Sequence, residues 1–172
     1  MTDEKRIEDL YELIEDIEVA MLTTRRPDGR LVSRPMATQK RQAIADLWYV
    51  TDIESNKLDE LESDPHVNLA FFDTKSREWV SVSGTARVST DRDMIRELYD
   101  ASWKAWFGEL DDVRNGGPDD PRMALIFVDA DSVTYLKTDK SKPAILFEVA
   151  KGVLTGDRPD VGEVRNVTLD SR

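Results

Sequence analysis

The stretch Trp48–Lys57, WYVTDIESNK, decides how the chain is read. An aromatic pair and a β-branched pair run into Thr51, the composition of a half-buried strand. A short polar turn follows. Ser55 then stands where a helix N-cap belongs, with Asn56 and Lys57 opening the helix. Free N–H groups and the helix dipole make such a start attractive to an anion, and the hydroxyl and amine add a donor and a charge. A plain serine cap with a solvated lysine accounts for the same residues. Local physics leaves both readings open.

Toward the N-terminus, EVAMLTT and LVSRPMAT flank RRPDGR, whose Pro-Asp-Gly predicts a tight turn, so residues 19–38 read as a hairpin. Arg34 puts a charge in the middle of the returning strand. It belongs either on a solvated face or against a ligand such as phosphate, which matches its planar fork. Pro35 lacks an N–H, which places it at an edge, at a bulge or near a ligand. Further upstream, Ile7, Leu10, Tyr11, Ile14 and Ile17 recur at helical spacing, with Thr2 or Asp3 as the cap.

Toward the C-terminus, Leu58 and Leu61 face inward on a helix from Ser55 to Glu62. HVNLAFFD and EWVSVSGTARVS alternate as the arms of a long hairpin. Residues 91–107 return to helix, with Met94, Ile95, Leu98 and Tyr99 on one face. Trp103 and Trp106 share a helix face, either as core or as a platform for a planar ligand or a dimer seam. GELDDVRNGGPDDP is a loop, and MALIFVDADSVTYLK reads as two strands around a short turn. His66 reads as a loop or structural histidine, and the acidic runs ELESD and ELDD as solvated faces. Six or seven short strands with a few helices predict a mainly β, α+β chain: a small antiparallel barrel over residues 1–137. Residues 138–172 read as an extension with a short helix in AILFEVAKGVL, mobile or lying on a partner.

Composition narrows the function classes. The 172 residues are 40% hydrophobic and 34% charged, which suits one soluble domain with a sizeable core. The longest apolar run, MALIFV, is far short of the roughly 20 residues of a membrane span. With no apolar leader at the N-terminus, a cytoplasmic protein is expected. A net charge of −11 argues against nucleic acid or an anionic membrane as partner; solubility or a salt-adapted source explains it. The absence of cysteine and a single histidine argue against a metal centre or a thiol nucleophile.

Taken in order, MLTT, DGRLVSRPM, LWYVT, SNKLDEL, DPHVNLAFFD, WVSVSGTARV and WKAWF with GGPDDP resemble the pyridoxamine 5′-phosphate oxidase-like superfamily. Within it they resemble the general stress protein subfamily of FMN-binding split barrels. The resemblance implies a homodimer of six-stranded antiparallel split barrels with FMN bound in clefts at the interface. It implies that Arg34, Ser55 and Lys57 hold the flavin phosphate. Tyr49, Val50 and Thr51 would line the ring, with Pro35 and Met36 close by. Trp79 takes the place of a flavin-contacting glutamine in the oxidases, and Trp103 and Trp106 join the candidate set.

The departures bear on activity. The oxidases carry an arginine–x–histidine pair near the C-terminus and a lysine after the strand arginine, and this chain has neither. On the face that keeps Tyr99, the following positions are Trp103 and Phe107 rather than arginine and serine. Oxidation of vitamin B6 phosphates is therefore not expected. What remains is a flavin reductase or oxidase of an unknown small molecule, a non-catalytic flavin sensor or reservoir, or a deazaflavin-dependent enzyme.

Overall fold

The computed structural model describes residues 3–138 and 140–168. Helix α1 (Asp3–Ile17) buries Leu10, Tyr11, Leu13 and Ile14, so the apolar stripe read from the sequence is the face that packs. The cap expected at Thr2 lies outside the described residues. Glu18, at φ 64°, takes the left-handed conformation and turns the chain into β1.

The described residues form one seven-stranded antiparallel sheet in the order β2-β1-β4-β5-β6-β3, with β7 pairing β6 off that path. The strands are β1 (Val19–Arg25), β2 (Leu31–Ala37), β3 (Leu47–Asp52), β4 (His66–Phe72), β5 (Trp79–Ser89), β6 (Met123–Lys137) and β7 (Glu163–Thr168). The sheet curls into a half-barrel with flanking helices, a split-barrel α+β fold. Its interior holds Ala20, Leu22, Leu69, Phe71, Val80, Val82 and Tyr135, with α1 packed against them.

β6 departs from expectation. MALIFVDADSVTYLK is one continuous strand rather than two around a turn. Its first half pairs β3, its second half pairs β7, and β5 runs along both. The bend needed between the halves is absorbed by a bulge beside Ser83 and Gly84. At Gly84 a Cβ would sit 2.3 Å from the Asp129 carbonyl oxygen, so only glycine fits the close approach. The first half of β6 is buried on both faces, with Ile126 and Val128 in the barrel core. Met123, Leu125 and Phe127 face a second cluster with Trp48, Ile95 and Trp103. That explains an apolar run without alternation.

The helix expected over 91–107 is broken. After α2 (Asn56–Ser63), α3 (Arg92–Leu98) stops short, and Tyr99 leaves the helical region at φ −56°, ψ 132°. Asp100 then caps a 3-10 turn (Ala101–Trp103) that runs into α4 (Lys104–Phe107). The loop after α4 is pinned by Asp120, whose carboxylate accepts from Arg122 and from the Gly116 N–H. Burial pushes that carboxyl up, but these bonds outweigh it and hold it down at about 2. The extension carries α5 (Lys142–Thr155) and β7, which joins the sheet of its own chain.

Among the described residues, one sheet face is left uncovered. On the outward face, register sets Ala37 beside Val19, Pro35 beside Met21, and Met21 beside Ala70. It also sets Phe72 beside Trp79, Trp79 beside Leu136, and Leu136 beside Val164. Val19, Met21, Phe72 and Val164 are exposed on it; separately, Leu146, Phe147, Val153 and Leu154 are exposed on α5.

Candidate functional site

β3 ends at Asp52, whose carboxylate accepts from the Glu54 N–H and whose carbonyl accepts from the Ser55 N–H at 3.1 Å. This turn delivers the chain into α2 with Ser55 in the N-cap position, but among the described residues no side chain caps the helix. The first-turn N–H groups are therefore left without the usual side-chain acceptor. The Ser55 hydroxyl instead accepts from Lys57 Nζ at 2.6 Å, and Thr51 Oγ1 accepts from the same ammonium at 2.7 Å.

Arg34 reaches this region from the inner face of β2. Its Nη2 donates to Glu60 Oε2 at 2.6 Å and its Nη1 donates to the Thr24 hydroxyl. Arg26, Arg34, Ser55, Asn56, Lys57 and Glu60 line a cleft of about 760 Å³. Burial lowers the pKa of Lys57, and the nearby Arg34 charge lowers it further. Two cations from different elements thus line one cleft, Arg34 paired with Glu60 and Lys57 held by hydroxyls. A lysine held in that way gains when an anion enters beside it.

The remaining candidates lie elsewhere. Thr51 touches the cleft only through Lys57. Tyr49 is wholly buried in the barrel core, where burial raises its phenol pKa, and Thr38 Oγ1 donates to its hydroxyl at 3.3 Å. Met36 packs in the same core, and Val50 packs against the second cluster. Pro35 and Trp79 are on the outward face, Pro35 on β2 beside Met21 and Trp79 between Phe72 and Leu136. Trp103 is buried edge-on to Trp48 and donates its indole N–H to Gln39 at 2.8 Å. Trp106 is 84% exposed.

The two side chains that hold Arg34, Thr24 beside the cleft and Glu60 in its wall, escaped the sequence reading. Thr24 and Glu60 are buried, and Glu60 belongs to the ELESD run that reads as a solvated face. Its carboxyl is pushed up by burial, but hydrogen bonds from Thr24 and Arg34 outweigh this and hold it below the ordinary range. Position gives the signal: Glu60 lies one helical turn after Lys57, on the same side of α2.

The profile of the family described as "Pyridoxamine 5'-phosphate oxidase like" matches residues 5–160. Protein bli-3 of Neurospora crassa is 39% identical over 168 residues, covering 96% of this chain and 80% of that protein. A structure described as general stress protein 26 from Jannaschia sp. CCS1 is 26% identical with a TM-score of 0.72, covering 96% of this chain and 99% of its own. The general stress FMN/FAD binding protein of Xanthomonas citri is 25% identical with a TM-score of 0.65, covering 80% and 92%. The profile spans most of the chain, and the chain belongs to the pyridoxamine 5′-phosphate oxidase-like family.

Proposed function

We propose that the protein binds FMN as a general stress flavoprotein, with the flavin phosphate seated between Arg34 and Lys57. The observation that carries this reading is the convergence of those two cations on one cleft at an uncapped helix start. Lys57 spends its hydrogen bonds on two hydroxyls rather than on a carboxylate, so an entering phosphate gains an ammonium without breaking an ion pair. Ser55 is placed to donate its hydroxyl once Lys57 turns to the phosphate. The flavin, when bound, supplies the redox chemistry, and the protein positions it. The FMN/FAD-binding relative from Xanthomonas citri supports the cofactor class.

A homodimer is part of the same proposal. Soluble monomers rarely leave a contiguous apolar face of this kind uncovered. The outward rows around Met21, Phe72 and Val164 suit an isologous contact. Pro35 and Trp79 lie on that face, so a second copy would bring them to the flavin ring. Phe72→Glu is expected to convert a dimer to a monomer by light scattering. An unchanged mass would move the interface elsewhere.

The central test compares flavins with and without a phosphate. Lys57→Met is expected to weaken FMN strongly and to leave riboflavin unchanged in calorimetric titrations. Equal losses for both ligands would remove Lys57 from the phosphate site. Reduction of the bound flavin by NADH or NADPH, followed by reoxidation with a small-molecule acceptor, then separates an oxidoreductase from a carrier.

A further inference from the structure

A buried, ionised carboxylate is an odd neighbour for a phosphate site, because it repels the ligand the site is built to hold. Glu60 nevertheless points into the cleft with only 6% of its surface exposed. Its Oε2 accepts from Arg34 Nη2 at 2.6 Å and from the Thr24 hydroxyl at 2.5 Å, while Thr24 Oγ1 itself accepts from Arg34 Nη1. The three side chains close a ring across β1, β2 and α2. Its proton directions are fixed by chemistry, since a guanidinium only donates and a carboxylate only accepts. The Thr24 hydroxyl must therefore accept from Arg34 and donate to Glu60.

The ring has two consequences. Both Nη atoms of Arg34 are tied, so the plane of its fork is set before any ligand arrives, and the remaining N–H donors are held at one orientation. The Arg34 charge is also largely cancelled by Glu60, which leaves Lys57 as the net cation of the pair. We propose that Glu60, oriented by Thr24, is a positioning residue that presents the Arg34 fork to the phosphate of a phosphomonoester. It works by preorganisation, in which ordering cost is met in the fold rather than at binding. This inference rests on the phosphate assignment above.

The sign of one substitution separates this role from its rivals. If Glu60 only opposes the anion, Glu60→Gln tightens FMN. If Glu60 is only a structural brick, FMN and riboflavin suffer alike. Positioning predicts that Glu60→Gln weakens FMN by about tenfold or more, the scale of a lost charge-assisted contact, with riboflavin unchanged. Thr24→Val keeps the volume, removes the hydroxyl and is expected to act in the same direction, which covers the case of a Glu60 variant that does not fold.

Calorimetric titrations of the full chain with FMN, riboflavin and inorganic phosphate read all of these outcomes. Tighter FMN binding in Glu60→Gln, or parallel loss of riboflavin, overturns the proposal. A wild-type protein that takes inorganic phosphate but not FMN overturns the flavin reading alone. The positioning role then stands if Glu60→Gln loses the phosphate. A wild-type protein that takes neither overturns both.

Discussion

Arg34–Glu60 and Arg165–Asp9 are the same chemical pair in two different settings. Asp9 on α1 accepts from Arg165 Nη1 at 2.8 Å, from Lys137 at 3.0 Å and from Lys5 at 3.1 Å. Lys137 also reaches Glu12 at 2.7 Å, and Arg165 reaches Glu163 at 3.2 Å. Every cation in that knot has a carboxylate, and the knot ties α1, β6 and β7 together. The pair at Arg34 instead opens onto a cleft and has Lys57 beside it, held by hydroxyls. A cluster whose charges are all matched braces the fold. One with a cation left over at a cleft wall is prepared for an anion.

The largest expected effect tests the brace. Asp9→Ala removes the acceptor that Arg165 and Lys137 share while Glu163 and Glu12 stay in place, and losing the charge-assisted bonds is expected to cost about 1.5–3 kcal/mol. Denaturant unfolding of the full chain measures it. Burial pushes the Asp9 carboxyl up, but hydrogen bonds from Lys137 and Lys5 outweigh it and leave the folded value below 3.8. The stabilisation is therefore present above 3.8 and lost as pH falls through the folded value. Asp9→Ala should erase that part of the acid limb. A loss below about 1 kcal/mol, the range of ordinary substitutions, would mean that the backbone ladder alone holds β7.

Lys57→Met carries the next effect, and for stability its sign is opposite. Burial and then the Arg34 charge depress the Lys57 pKa, so the folded apo protein disfavours its ammonium. That penalty is full below the folded value and fades as pH rises toward the unfolded 10.5. The variant should therefore gain apo stability at neutral pH while losing about 10- to 100-fold in FMN affinity, the worth of a charge-assisted hydrogen bond. Thermal melts with and without saturating FMN show the crossing. A variant less stable than wild type without ligand would turn Lys57 into a second brace and erase the contrast.

The contrast also marks what the sequence could disclose. Arg34, Ser55 and Lys57 stood out because a charge mid-strand and a Ser-x-Lys at a helix start are local oddities. Glu60 did not, since an acidic run looks solvated until Arg34, which lies 26 positions away along the chain, is folded against it. β7 was hidden for the same reason. Its inward Arg165 looks like a surface residue, and the carboxylate that makes its burial tolerable lies 156 positions away. The sequence divides β6 in two because Asp129–Asp131 resembles a turn. The Ala130 N–H that would need a turn partner is met by Asp46 at 2.9 Å. Alternation in β1, β4 and β5 needed no such distant help and was legible.

The smallest effect is the control that burial, rather than ion pairing, distinguishes these clusters. Arg25 on β1 meets Asp64, the residue that ends α2, at 3.1 Å, so like Arg34 it joins a strand to that helix. Both side chains are partly open to water, at 53% and 27%. Exposed pairs of this kind gain little, because solvent and salt screen them and ordering two long side chains opposes the attraction. The Asp64 carboxyl is lowered first by the hydrogen bond to His66, so removing Arg25 leaves it with its main partner. Arg25→Ala is expected to change neither the unfolding midpoint nor FMN affinity. A loss as large as that of Asp9→Ala would show that strand-to-helix ion pairs matter here whatever their exposure, and the Arg34 ring would then need no ligand to explain it.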